Sequence, residues 1–376
     1  LAERKRRILA VNWRDRKNPE AGGAETHLHE IIERWAEDGD ELTLLCAGFP
    51  GGAEEEHYGG LRILRAGNAW NANFALFFRA RRLLRQESFD CIVEDVNKIP
   101  FFLPLLSSLP HLLLIPHLFG TTVFRETNPL FAFYVWLFEL PIPLVYRNSG
   151  VVAISPSTRD DLLARGMKKD KVEVSYCGFD PKPYDRENPP GKGKSPRLIH
   201  LGRLRKYKGA DRVIRSFAKI RDEMPEARLE IVGDGPELPN LRKLSRKLEL
   251  DNSITFHGFM SLEDMVSLLY KCHVFLNSSP KEGWGLTVIE AAACGVPAVA
   301  SDSPGLRDSV EDGKTGILVP PDDTDAMAEA TLELLRSPEL REAMAERAAR
   351  RAREFSWNRT AREAGDLLDR LMESGL

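Results

Sequence analysis

Twice along its length the chain alternates short β-branched or leucine-rich runs with longer stretches of helical periodicity, and between the two series lies Pro-Pro-Gly-Lys-Gly-Lys-Ser-Pro at 189–196. Short apolar runs separated by helical segments are what parallel strands joined by crossover helices look like in sequence. Strands are expected at 8–13, 42–47, 91–94, 112–116 and 151–155. A second set is expected at 198–201, 229–232, 254–257, 274–277, 298–301 and 316–319, with helices at 211–223, 237–248 and 262–271. The proline- and glycine-rich break reads as a linker. The 376 residues exceed what one hydrophobic core usually serves, which also argues for two domains. We therefore expect an α/β protein of two Rossmann-like, doubly wound domains, 1–190 and 197–355, followed by a helical tail at 356–376. Sheets of this kind bind ligands at the C-terminal ends of their strands, so two of them are expected to face a central cleft.

A net charge of −3 carries no basic excess with which to grip nucleic acid. Five cysteines without a Cys-x-x-Cys pair fit reduced, buried thiols and a cytoplasmic location. The basic run at the start of the sequence leads into an apolar stretch only as long as a strand, too short for a signal peptide core. The longest apolar tract, 130–146, is interrupted by Glu139, Pro141 and Pro143 and does not read as a membrane span.

Chemistry concentrates in a few strand-to-helix loops. In Lys281-Glu282-Gly283-Trp284-Gly285-Leu286-Thr287-Val288-Ile289-Glu290-Ala291, glycines at a helix start let backbone N–H groups approach a ligand, and the helix N-terminus favours an anion such as diphosphate. Glu282 on the loop is placed to hold sugar hydroxyls, and Glu290, about one turn into the helix, to accept a ribose diol. A tight turn with two solvated glutamates would read the same way in isolation. Upstream, His200-Leu-Gly-Arg203-Leu-Arg-Lys-Tyr-Lys208-Gly209 is a second strand end with two cations suited to a diphosphate, Arg203 as a planar fork and Lys208 as a point charge.

Together with Gly233-Asp-Gly-Pro, His257-Gly258-Phe, Cys294-Gly-Val-Pro and Asp312-Gly-Lys-Thr-Gly-Ile-Leu-Val, these loops resemble the donor half of the family-four retaining glycosyltransferases with the GT-B fold. The resemblance runs through nearly the whole second domain. It implies transfer of a hexose from a nucleotide diphosphate sugar, UDP-linked in the first reading, to a glycan, lipid-linked or small-molecule acceptor, with no metal or other cofactor. It implies that Arg203 and Lys208 hold the donor phosphates, Glu282 the transferred sugar and Glu290 the ribose. The backbone of Gly283, Trp284 and Gly285 would meet sugar hydroxyls, and that of Leu286 and Thr287 the phosphates, with Gly233 and Gly258 near the base. Trp284 stands where the family more often has Phe, which would narrow the sugar pocket. Gly22-Gly23-Ala24-Glu25 resembles the family's glycine loop in the first domain, and His117 matches a histidine beside the reacting carbon. The final helix is expected to return to the first domain. Asp95 and Asn97, closing a strand of that domain, are expected acceptor contacts, with a plain polar loop as the other reading.

Asp38-Gly-Asp40 and Asp323-Thr-Asp325 sit at a helix end and a helix start, and His27-x-His29 lies within a helix where residues two apart face different ways, so none reads as a metal site. A dinucleotide Gly-x-Gly-x-x-Gly is missing after the first strand, and Gly313-Lys-Thr lacks the upstream glycine of a P-loop, with Asp308 in its place. The segment 74–86 mixes Phe74, Phe77 and Phe78 with Arg79, Arg81, Arg82 and Arg85. That pattern allows peripheral association with the inner face of a membrane, although a crossover helix with a basic outer side explains it more simply. The aromatic tract 131–138 is expected to be a buried helix, with a groove for a lipid-linked acceptor as the alternative. A GDP-mannose-dependent mannosyltransferase, a nucleotide-sugar 2-epimerase and a sugar-nucleotide binding module without activity remain as competing functions.

Overall fold

The structure is a computed structural model that describes residues 5–125 and 128–374. The first residues of the N-terminal basic run, and 375–376 of the expected terminal helix, lie outside the described residues. The chain forms two units, one of residues 1–178 with 357–376, the other of residues 179–356.

The first unit opens with β1 (Arg7–Val11), α1 (Gly23–Glu37), β2 (Glu41–Cys46), β3 (Glu55–Tyr58), β4 (Leu61–Arg65), α2 (Ala72–Gln86) and β5 (Cys91–Asp95). It continues with β6 (His111–Ile115), α3 (Pro129–Glu139), α4 (Ile142–Val145), β7 (Gly150–Ala153), α5 (Pro156–Ala164) and β8 (Val172–Val174). The strands make one eight-stranded sheet in the order β3-β4-β2-β1-β5-β6-β7-β8, parallel except for β3 against β4. Central strands such as β5 and β6 are buried at every residue, which explains the apolar runs at 91–93 and 112–115 within them, although β5 ends on the buried Glu94 and Asp95. Leu28, Ile31, Ile32 and Trp35 of α1 lie in one core cluster with Ala361, Ala364, Leu367, Leu368 and Leu371 of the last helix, Trp357–Glu373. Each large aliphatic side chain buried there contributes about 1.5–3 kcal/mol. Trp35 Nε1 donates to the Ala361 carbonyl at 2.9 Å, and a Cβ at Gly365 would meet that indole nitrogen at 3.2 Å, so glycine lets the helix sit this close. The last helix thus belongs to the first unit.

The second unit holds β9 (Arg197–Leu201), α6 (Ala210–Glu223), β10 (Arg228–Val232), α7 (Leu238–Lys247), β11 (Ile254–Gly258), α8 (Leu262–Tyr270) and β12 (Val274–Asn277). It closes with α9 (Leu286–Ala293), β13 (Ala298–Ser301), α10 (Leu306–Ser309), β14 (Gly316–Val319), α11 (Thr324–Arg336) and α12 (Pro338–Ala352). Its six-stranded sheet runs β11-β10-β9-β12-β13-β14, with every neighbouring pair parallel. The direction of winding reverses between β9 and β12, and the loops leaving those two strands flank the crevice where doubly wound sheets take ligands.

The expected division at 189–196 needs correction. The units meet at Gly178 and Phe179, and 179–196 belongs to the second. Tyr184 is 5% exposed there. Arg186 Nη1 donates to Ser267 Oγ at 2.8 Å and Lys192 Nζ to the Gly295 carbonyl at 2.8 Å. The break in composition marks a surface loop, while the aromatic residues before it are already committed to the second core. β3 and β4, and the three-residue β8, were not anticipated. β3 reads Glu-Glu-His-Tyr, an edge strand with no apolar alternation to reveal it.

Candidate functional site

In the second unit the expected residues gather on the loops that leave β9 and β12. After Leu201 the chain passes Gly202 and the exposed Arg203, turns through Lys206–Lys208 and reaches Gly209 at φ 72°. A Cβ on Gly209 would lie 2.5 Å from Ser278 Oγ, and that hydroxyl donates to the Gly209 carbonyl at 2.6 Å, so the two loops are stitched directly together. The second loop is braced from behind. Ser303 Oγ donates to the Ser279 carbonyl at 2.8 Å, and the Glu282 N–H to the Pro304 carbonyl at 3.0 Å. Gly305, at φ 81°, admits the Glu282 carbonyl where a Cβ would lie 2.3 Å from it.

This scaffold brings Lys208 to Glu282, with the ammonium 2.7 Å from each carboxylate oxygen. Their side chains are 21% and 14% exposed, so water screens the pair only partly. Burial works against the charge on Lys208, but the neighbouring Glu282 carboxylate outweighs it and raises the lysine pKa. His200, on β9, has Nδ1 2.9 Å from the Leu276 carbonyl, and burial lowers its pKa. It is held neutral beside the pair, with Nδ1–H as donor.

Gly285, at φ 88°, caps α9, so the first-turn N–H groups at Leu286 and Thr287 follow directly on the Glu282 loop. Trp284 does not line a sugar pocket with its ring. The indole is 2% exposed and packs edge-on against Phe355 at 5.0 Å, which corrects the expectation that it narrows the site. Glu290 is half-buried in α9. Burial raises its pKa, and a hydrogen bond from the Tyr184 hydroxyl partly offsets that rise. Nothing in the sequence pointed to Tyr184, which lies more than a hundred positions away in a segment expected to belong to the first domain. Gly233 and Gly258 form an isolated bridge, Gly233 N–H donating to the Gly258 carbonyl at 2.8 Å.

In the first unit the winding reverses between β1 and β5, and Asn12, Gly22, Glu25, Asp95 and Asn97 collect at those strand ends. The Gly22 N–H donates to Glu25 Oε2 at 2.7 Å, which fixes the start of α1. Asn97 Nδ2 lies 3.1 Å from Asn12 Oδ1. Asp95 and Asn97 are 0% and 6% exposed, so neither belongs to a solvated polar loop. Burial, with Glu25 and Glu94 nearby, pushes the Asp95 carboxyl well above the usual range. His117 follows β6, its ring 4.9 Å from that of Phe119. Its loop is held by Glu139, which accepts from the N–H groups of Phe119 at 2.7 Å and Gly120 at 2.8 Å and pairs with Arg165 at 3.1 Å. In the sequence Glu139 looked only like a charge interrupting an apolar tract.

Two doubly wound units, one with a cation and a carboxylate paired at its switch point, define a Rossmann-like α/β architecture of two parts. Residues 21–183 match the family model "Glycosyltransferase Family 4", and residues 182–351 match "Glycosyl transferases group 1". The chain belongs to the family-four glycosyltransferases with the GT-B fold. It is 36% identical over 151 residues to N-acetyl-alpha-D-glucosaminyl L-malate synthase of Bacillus anthracis, a match covering 40% of this chain and 39% of that protein. The chain thus spans less than half the length of that curated relative. Sucrose-phosphate synthase from Thermosynechococcus elongatus shares the fold at TM-score 0.80 and 20% identity, over 98% of this chain and 100% of its own. An Anabaena protein solved in complex with UDP-glucose shares it at TM-score 0.75 and 20% identity, over 97% of this chain and 99% of that one.

Proposed function

We propose that the protein transfers a hexosyl group from a nucleotide diphosphate sugar, UDP-linked in the first instance, to a glycan, lipid-linked or small-molecule acceptor, with retention and without a metal. The observation that carries this reading is the Lys208–Glu282 pair at the switch point of the second sheet, beside the N-terminus of α9. In the proposed reaction Lys208 and Arg203, with the first-turn N–H groups of α9, take the diphosphate, and Glu282 turns from Lys208 to hydroxyls of the sugar. Glu290 accepts from the ribose diol, and the backbone of Gly233 and Gly258 lies toward the base. The bond from the anomeric carbon to the diphosphate oxygen breaks as the acceptor oxygen bonds that carbon from the same face. The leaving phosphate oxygen takes the acceptor proton. Catalysis then comes from stabilising the charge that develops on the diphosphate and from positioning. His117 contacts the sugar near the reacting carbon, and Asp95 and Asn97 belong to the acceptor side. The existence of a neighbour solved with UDP-glucose supports the choice of uridine.

The test is a thermal-shift panel of UDP, GDP and ADP sugars, followed by transfer assays with whichever donor raises the melting temperature most. A UDP-sugar that stabilises the protein and is consumed only with an acceptor supports the proposal. Stabilisation by none of the three removes it, and epimerisation of UDP-GlcNAc without any acceptor replaces it with the isomerase reading.

A further inference from the structure

α2 and α3 meet in the first unit through a contact between the Asn73 amide and the Tyr134 hydroxyl. Their inward sides are fully used. Leu76, Ala80 and Leu83 of α2 share a core cluster with Ala132 and Val135 of α3. Their outward sides are also apolar. Leu130, Phe133 and Leu137 are 85%, 51% and 45% exposed and fall at i, i+3 and i+7, one stripe along α3. Trp70, just before α2, is 94% exposed, and Phe74 and Phe78 on α2 are 55% and 60% exposed. Exposed aromatic and leucine side chains gathered on two adjacent helices are uncommon on a soluble surface and mark a place where water is to be excluded. The structure therefore corrects the expectation that 131–138 is simply a buried helix, since only one side of it is buried.

The charge on this face selects the occupant. The exposed stripe of α2 continues from Phe74 and Phe78 into Arg81, Arg82 and Arg85, all exposed, and the helix contains no acidic residue. The one carboxylate of α3, Glu139, is 1% exposed and is spent on the His117 loop. We infer that the α2–α3 face is a docking surface for an anionic lipid bilayer, on which the aromatic and leucine side chains enter the interface and the arginines meet lipid phosphates. Helices that lie in the plane of a membrane combine these features, and tryptophan at the edge of the apolar band, as at Trp70, suits the headgroup level. A second copy of the chain fits less well, because an isologous pairing would add an identical set of arginines and no carboxylates to meet them.

The full chain is sedimented with vesicles of phosphatidylcholine alone, and of phosphatidylcholine with phosphatidylglycerol, at low and high salt. Binding is expected to the anionic vesicles only, weakening with salt. The triple variant Arg81→Gln, Arg82→Gln, Arg85→Gln should bind about 100-fold more weakly, at roughly fivefold per arginine. Phe133→Ser with Leu137→Ser should also abolish sedimentation, with an unchanged melting temperature because the side chains removed are exposed. Failure of the wild type to sediment with anionic vesicles at low salt would overturn the inference, as would variants that bind like the wild type. A solution dimer that Leu137→Ser dissociates would overturn it in favour of a second copy.

Discussion

The Lys208 ammonium sits 2.7 Å from both oxygens of Glu282, although the two residues are 74 positions apart and leave different strands. Each is the other's partner in the structure, so in the proposed reaction a sugar diphosphate would separate them, phosphate replacing carboxylate on the lysine and sugar hydroxyls replacing ammonium on the glutamate. The proposed exchange would keep both charges compensated, which matters because an unpaired charge in a site only partly open to water is costly. Glu282→Ala is expected to lower turnover by about 100-fold or more, the size of effect seen when a charge-stabilising group is removed, while UDP affinity stays nearly unchanged. Lys208→Ala should instead weaken UDP binding by roughly 10- to 150-fold, the equivalent of one charge-assisted hydrogen bond. Calorimetry alongside initial rates separates the two, and unchanged turnover in Glu282→Ala would take that residue out of the reaction.

With Glu290 on the ribose as proposed, donor affinity should depend on pH, through the burial of Glu290 and its hydrogen bond from Tyr184. Glu290 can accept from both ribose hydroxyls only while ionised, and burial holds its pKa above the ordinary carboxylate value. Affinity for UDP should therefore be constant at neutral pH and fall on acidification as Glu290 takes up a proton. The Tyr184 hydroxyl favours the ionised form, so in Tyr184→Phe the fall should begin at a higher pH. Titrations of Kd against pH for the two proteins check this, and superimposable profiles would separate Glu290 from the ribose.

Most of the sheet architecture was legible in the sequence because buried parallel strands must be apolar on both faces. β9, Arg197–Leu201, and β12, Val274–Asn277, stand within a residue of their expected places. The glycines of the donor loops were legible for a related reason, since Gly209 and Gly285 adopt positive φ that other residues resist. What escaped were partnerships between distant segments. Tyr184 and Glu290, or Glu139 and the His117 loop, are adjacent only after the chain has folded, and neither carries a local pattern. The boundary was misplaced for a similar reason, because proline and glycine report where a loop is exposed and not which core its neighbours join.

The proposed metal-free reaction predicts that transfer proceeds unchanged in EDTA. Asp40 is held by the backbone N–H and guanidinium of Arg6, and Asp323 caps α11 through the N–H groups of Asp325 and Ala326, so both Asp-x-Asp triplets are already engaged. Among the described residues, no group of three His, Cys, Asp or Glu side chains is arranged to hold an ion. Rates with and without chelator should agree within about twofold, well below the loss expected from removing a catalytic metal ion. A loss of activity restored by magnesium or manganese would refute the metal-free reaction.

His27 makes the first unit sensitive to acid. It is 1% exposed in α1, neither ring nitrogen has a hydrogen-bond partner, and its ring lies 6.0 Å from that of Trp357 on the last helix. Burial lowers its pKa to about 4, from 6.5. Above pH 6.5 the imidazole is neutral whether folded or unfolded and stability is unaffected. Between pH 6.5 and 4 the unfolded chain binds the proton and the folded chain does not, so stability falls by about 3 kcal/mol across that window. In His27→Leu that contribution should disappear, leaving the declines due to His273, whose pKa is also lowered to about 4, and to His200, whose pKa burial also lowers. Melting temperatures between pH 4 and 7 test this, and parallel curves for wild type and variant would exclude His27 as the source.

Gly233 and Gly258 bond to one another, yet they should respond very differently to the same substitution. A Cβ at Gly233 would lie 1.9 Å from the Gly202 carbonyl oxygen, and the residue has φ 127°. That oxygen belongs to the loop leading into Arg203, so the clash can be relieved only by moving backbone that the proposed phosphate site depends on. At Gly258 the φ is 68° and nothing lies within 4 Å of the added carbon. The cost there is limited to the left-handed conformation, about 1–2 kcal/mol for a residue with a Cβ. Gly258→Ala should lower the melting temperature modestly and weaken UDP binding far less than Gly233→Ala does. Gly233→Ala should lower it further and weaken UDP binding as well, because the end of β10 and the β9 loop can no longer approach each other. Equal effects of the two substitutions on both measurements would mean that the close approach at Gly202 plays no part in holding the nucleotide.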